Sequence, residues 1–270
     1  MPKMTKLFAF SFILFLASCN NNTDTPASSA QPSGPVPDAP AAISYSVVQT
    51  FPHDTSSYTQ GLVIYKGDMY EGTGNKGRSN LMKVDVQTGK ALKKHALSEE
   101  YFGEGVTIVR DTVYQLTWQE HKVFVYTLPD FKKVKEYELS TDGWGLTTDG
   151  TSLIVSDGTS NLYYYDPSTF ALQRTQSVIE SGELVYNVNE LEFIDGYIFA
   201  NQYQRPYILK IDPSSGIVVG KADLTKLWDR AKGINPNVDV PNGIAYDSVS
   251  KKTYVTGKWW PELYQVEISK

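Results

Sequence analysis

Eight residues of this 270-residue chain could do chemistry together: one carboxylate, Glu104; one lysine, Lys258; three amides, Gln60, Asn189 and Asn242; and three aromatics, Trp118, Trp144 and Tyr203. Five of them open short triplets, Gln60-Gly61-Leu62, Glu104-Gly105-Val106, Trp144-Gly145-Leu146, Asn189-Glu190-Leu191 and Asn242-Gly243-Ile244. The other three stand 14 to 16 residues after a triplet opens: Trp118 in LTW, Tyr203 in ANQYQ and Lys258 in VTGKWW. If these places converge, the pocket holds a base, a cation, amides and a wall of aromatics. A carboxyl beside indoles is partly desolvated and its pKa rises, so Glu104 could carry a proton in both directions near neutral pH.

Plainer uses exist for most of the set. A tryptophan often packs between sheets, buried amides often satisfy backbone groups, and Lys258 could be a solvated strand end. Glu104 resists such a reading, because a carboxylate carried inward is costly unless paired or used.

Other chemistries find little support. His53, His95 and His121 are the only histidines and lack ligand spacing, and the one cysteine is Cys19, so no metal site is expected. There is no Gly-x-Ser-x-Gly elbow. Gly72-Thr73-Gly74 with Gly77 looks like a hairpin turn more than a phosphate loop. No cofactor is expected, with room left for a structural ion in a channel.

The elements that must position these residues are short strands. The triplets recur every 40 to 53 residues. Each of the first four is followed by four alternating runs rich in Val, Ile, Tyr, Phe and Thr, bounded by Gly, Pro and Asp. Such a period is that of a propeller blade. The fifth unit has only three runs, GIAYD, KTYVTGKW and LYQVEI, and the unassigned SYSVVQTF (44–51) can supply the fourth and protect its open edge. The expected fold is all-β: a five-bladed β-propeller over 43–270, its last blade completed by the N-terminal strand. A generic sandwich or barrel has similar strands but no reason for a five-fold repeat. The connection 227–240 (LWDRAKGINPNVDV) is longer than the others and is expected near the channel mouth.

Ahead of the domain, Lys3 and Lys6 precede an apolar run, Leu7 to Leu16, too short to span a bilayer as a stable helix. The string Leu16-Ala17-Ser18-Cys19 resembles a bacterial lipoprotein box, so 1–18 reads as a signal peptide and Cys19 as the acylated new N-terminus. The alternative is a secretory signal with an incidental cysteine. Residues 19–42 then form a Pro- and Ser-rich tether. Anchoring to a membrane of the bacterial cell envelope by lipid alone, facing periplasm or cell surface, is expected. Losing Lys3 and Lys6 moves the formal charge from −5 to −7, which argues against nucleic acid as a partner. A monomer is expected.

The strings YTQGL, YEGTGNKGRSNLMKVDVQTGK, FGEGV, LTW, GWGL, NELEF and TGKWWPELYQV, in order across about 57–268, resemble the plant and bacterial type of glutaminyl-peptide cyclotransferase. The resemblance implies a five-bladed propeller. It also implies a metal-independent acyl transfer, in which an N-terminal glutaminyl residue closes to pyroglutamate and releases ammonia. Position by position it makes Glu104 the general acid/base and gives Lys258 and Asn189 the γ-amide oxygen. Gln60 orients the substrate, Trp118 and Trp144 wall the pocket, and Asn242 joins the substrate-binding set. Tyr203 departs from the tryptophan usual there, keeping an aromatic face in a pocket that could be larger or wetter. The competing expectation is a propeller that binds a peptide or sugar at the same mouth without turning it over.

Overall fold

The structure, a computed structural model, describes residues 39–269. The expected signal peptide, Cys19 and the tether as far as residue 38 lie outside the described residues.

Two strands come first, β1 (Ala41–Ile43) and β2 (Tyr45–Pro52). Blade one is β3 (Thr59–Tyr65), β4 (Asp68–Thr73), β5 (Asn80–Asp85) and β6 (Lys90–Ala96). Blade two is β7 (Gly103–Val109), β8 (Thr112–Thr117), β9 (Lys122–Thr127) and β10 (Lys132–Glu138). Blade three is β11 (Leu146–Thr148), β12 (Leu153–Ser156), β13 (Asn161–Tyr165) and β14 (Leu172–Ser177). A small hairpin, β15 (Ile179–Glu180) and β16 (Glu183–Leu184), leads to blade four: β17 (Val188–Ile194), β18 (Tyr197–Gln202), β19 (Tyr207–Ile211) and β20 (Val218–Asp223). Helix α1 (Thr225–Ile234) precedes blade five, β21 (Pro241–Asp247), β22 (Lys252–Gly257) and β23 (Glu262–Ile268).

The ring closes as the strand count requires. β2 pairs antiparallel with β23, Tyr45 opposite Ile268 and Phe51 opposite Leu263, and completes blade five. β1 adds a second seam by lying parallel on β20 at the outer edge of blade four. Ala41 and Ala42, given by sequence to the tether, therefore belong to the propeller. Three residues of Ala and Ile carry too little alternation to announce a strand.

Burial follows position in the blade. Inner strands are covered on both faces, β7 along its whole length, while the outermost β6 and β10 are largely exposed. Those outer strands read KALKKHA and KKVKEYE, and lysines along a free edge oppose pairing with another chain. The core consists of five apolar layers, each shared by two adjacent blades. Val63, Tyr70 and Leu81 of blade one, for example, pack on Val106, Val113 and Phe124 of blade two.

The long connection contains a helix that the sequence reading did not identify. Leu227 and Ala231, four apart on one face of α1, are buried in the layer between blades four and five beside Trp260 and Tyr264. The helix stops at Asn235, which is extended (φ −132°, ψ 105°) because Pro236 follows.

Candidate active site

Four of the five triplets sit where the inner strands break register. Pairing slips between Thr59 and Gly61, Gly103 and Val106, Val188 and Leu191, and Pro241 and Ile244. A bulge adds one residue to its strand and re-aims the local side chains, here near the channel. The second triplet position is small because neighbouring blades touch there. A Cβ on Gly105 would lie 2.7 Å from Trp144 O and 2.6 Å from Leu146 N. Blade four alone puts an acid in that position. Glu190 Oε2 accepts from Ile244 N at 2.9 Å and Oε1 from Leu62 N at 3.2 Å, tying the third triplet residues of blades five and one. Burial raises its carboxyl well above the ordinary range, the nearby Glu192 adds to that, and the two amides oppose it.

Trp118, Tyr203 and Lys258 each stand one residue past a second strand. Their amides donate to Phe102 O, Asn187 O and Val240 O, at 3.0, 2.8 and 3.0 Å, each two residues before a triplet. Gly74 holds the same place in blade one, its amide donating to Tyr58 O at 2.8 Å, and Gly158 follows Trp144 by 14 residues in blade three. A side chain on Gly74 would meet the Phe102 ring, and one on Gly158 the Trp144 indole.

These two rings of residues enclose a cavity of about 200 Å³. Seven of the eight sequence-chosen residues line it: Gln60, Glu104, Trp118, Trp144, Asn189, Tyr203 and Lys258. Asn242 does not. It is fully buried behind Gln60, and its Nδ2 donates to Thr59 O at 2.9 Å and to Gln60 Oε1 at 3.3 Å. Substrate contact is therefore corrected to support of Gln60: blades five and one approach so closely that blade one's side chain covers its neighbour's. Tyr58, Phe102 and Asn75 also line the cavity and were missed. Tyr58 and Phe102 each stand two residues before a triplet, an offset that the repeat could have exposed.

Gln60 Nε2 donates to Glu104 Oε1 at 2.9 Å, so Asn242, Gln60 and Glu104 form a line. Glu104 Oε2 is buried without a hydrogen-bond partner among the described residues, as are Trp144 Nε1 and Asn189 Oδ1. Buried polar atoms left open in this way are costly, and three around one cavity suit a polar ligand. Burial pushes the Glu104 carboxyl well up, with Glu120 and Asp142 adding to it and Lys258 opposing. Lys258 is 3% exposed, its Nζ 4.6 Å from the Tyr58 ring centre and 5.0 Å from that of Tyr203. Desolvation lowers its pKa, while Glu104 and Asp239 hold it up. Trp118 packs on Phe102 and Trp144 on Tyr203, edge to face at 5.6 and 5.5 Å between centroids. The result is an aromatic-walled box with an acid that has one free oxygen, a cation and open amide and indole groups.

Comparison with known proteins identifies the family and the fold. The family model described as glutamine cyclotransferase matches residues 14–268. Glutaminyl-peptide cyclotransferase of Arabidopsis thaliana is 41% identical over 225 residues, 82% of this chain and 70% of the relative. The crystal structure of Myxococcus xanthus glutaminyl cyclase is similar with a TM-score of 0.81 at 33% identity, covering 85% of this chain and 98% of that one.

Proposed function

The chain belongs to the glutamine cyclotransferase family, and from that premise we propose that it is a glutaminyl-peptide cyclotransferase whose cavity closes an N-terminal glutaminyl residue to pyroglutamate. The reaction is an acyl transfer within one residue. The neutral α-amine attacks the γ-amide carbon, the ring C–N bond forms, and the bond to the γ-nitrogen breaks. One proton leaves the attacking amine and one reaches the departing nitrogen, which leaves as ammonia.

Glu104 is the group that moves this proton. Gln60 holds Oε1 at 2.9 Å, and Oε2 remains open toward substrate. That asymmetry is the observation that carries the proposal: a held carboxyl with one free oxygen and a raised pKa can accept the amine proton and give it back. Lys258 Nζ and Asn189 Nδ2 donate to the γ-carbonyl oxygen as it gains negative charge. Trp118, Trp144 and Tyr203, with Tyr58 and Phe102, confine the residue to the folded conformation in which the amine meets the γ-carbon, and much of the rate comes from that confinement.

The assignment of each role in this step to a side chain of this protein supports reading the catalysis as metal-independent. The test is ammonia release from a Gln-initiated dipeptide amide, with and without a chelator. Equal release in both, with product lighter by one ammonia, is expected. No release from several Gln-initiated peptides would leave a binding propeller. The Leu16-Ala17-Ser18-Cys19 string supports a second part of the proposal: the protein is held to a bacterial envelope membrane by lipid on Cys19. Labelling with a fatty-acid analogue that disappears in Cys19→Ala tests the anchor.

A further inference from the structure

A second carboxylate, Asp239, reaches the cavity through one of its walls. It lies on the connection between α1 and β21 and accepts a 2.9 Å hydrogen bond at Oδ2 from the Tyr58 hydroxyl. The Tyr58 ring lies beneath Lys258 Nζ, 4.6 Å from centroid to nitrogen, and Trp259 packs against the same ring at 4.7 Å.

Asp239 is itself bound into the turn that carries Lys258. Its amide donates to Lys258 O at 3.0 Å, its carbonyl accepts from Trp260 Nε1 at 2.9 Å, and its Oδ1 accepts from Val240 N at 2.8 Å. Carboxylate, phenol and ammonium thus stand in a row within one bonded unit. A carboxylate that accepts from a phenol polarises it, and a more electron-rich ring face attracts a cation more strongly. Any aromatic ring could wall the cavity at position 58. The hydroxyl is needed only for the bond to Asp239, its one hydrogen bond among the described residues.

We propose that Asp239 is a positioning residue for Lys258, acting through the Tyr58 phenol to fix the ammonium in the cavity.

The inference rests on the reading that Lys258 polarises the γ-amide oxygen. It also has a consequence for pH. Desolvation works to remove the proton from Lys258, and Glu104 on β7 and Asp239 are the carboxylates that oppose this. Tyr58 and Tyr203 supply the rings around the nitrogen. The Tyr58 phenol is itself pushed far above its ordinary range by burial and by Asp239, so it stays neutral through the working range. Removing the Asp239 charge lets Lys258 deprotonate at lower pH, and the alkaline limb of the rate profile must move down.

The experiment compares Asp239→Asn and Tyr58→Phe with wild type in kcat, KM and the pH profile of kcat on one Gln-initiated peptide. Asp239→Asn should lower kcat roughly 10-fold through misplacement of the ammonium, leave KM within about twofold, and shift the alkaline limb to lower pH. Tyr58→Phe, which keeps the ring, should move both in the same direction but less. Asp239→Glu should recover part of the limb. Wild-type kcat and limb in both main variants would overturn the inference; should Asp239→Asn fail to fold, Tyr58→Phe alone decides it. Lys258→Met separates the levels: if it also turns over normally, the reading of Lys258 fails, and if it alone is impaired, only the inference about Asp239 fails.

Discussion

Two carboxylates at the axis, Glu104 and Glu190, share burial and differ in what their oxygens do. Glu104 is 4% exposed and Glu190 1%, and desolvation raises both well above the ordinary range. Glu190 spends both oxygens on backbone amides of two other blades. Glu104 spends one on Gln60 and keeps the other open in a cavity that also holds Lys258. A raised pKa therefore does not mark the reacting acid by itself. On the proposed mechanism, the unused oxygen and the facing cation do.

If Glu104 and Lys258 work as a pair, the largest effect away from Glu104 itself comes from Lys258. Lys258→Met keeps the bulk and removes the charge, and kcat should fall by about 10²- to 10³-fold. The melting temperature should be kept, because the lysine is now desolvated at a cost. A loss of stability with normal turnover would move Lys258 to the structural side of the contrast.

Glu190→Ala should do the reverse. It strands the amides of Leu62 and Ile244, each a buried donor, and denaturant unfolding should register a loss of about 2–5 kcal/mol. Turnover measured well below the melting point should stay within a few-fold of wild type. A stable but inactive Glu190→Ala would bring this acid into the reaction.

Glu192 offers a finer test. Its Oε1 accepts from Tyr246 N at 2.8 Å, and burial pushes its pKa to about 8. Folded protein thus keeps a proton that unfolded chain gives up near the ordinary carboxyl value. Stability falls as pH rises between about 4.5 and about 8 on this account. Glu192→Gln removes that decline while keeping an acceptor for Tyr246. Its melting temperature should come close to wild type near pH 5 and exceed it near pH 8, where its unfolding free energy should be larger by on the order of 3–5 kcal/mol. A constant difference across that range would show that Glu192 stays ionised.

Tyr203→Trp should do least. The residue lies at the rim of the box against Trp144, and kcat/KM should change by no more than about threefold. An insoluble variant would mean that the wall has no room for the larger ring.

Much of this was legible because the repeat is enforced by geometry. Five blades meet at one axis, so each triplet needs a small or bridging residue second and a strand-starting aliphatic third, and the offsets of 14 to 16 residues follow from hairpin length. Those constraints bring Glu104, Asn189 and Lys258 to one cavity. They could not place Asn242, because an offset says which ring a residue belongs to and not which neighbour covers it. Tyr58 and Phe102 were hidden by standing before the triplets, in stretches with no strand pattern. Helix α1 was hidden because only two of its residues, Leu227 and Ala231, are buried. The bond between Tyr58 and Asp239 spans 181 positions, which no local pattern reports.

The central claim is that the free oxygen of Glu104 moves the proton of ring closure. Its most direct test is the rate of ammonia release by Glu104→Gln beside wild type, with both proteins checked for equal melting temperature. The substitution keeps the size and an oxygen for Gln60 and removes the proton carrier. A fall of about 10²- to 10⁴-fold in a folded protein is predicted. A rate near that of wild type would contradict the claim and assign the proton transfer to another group.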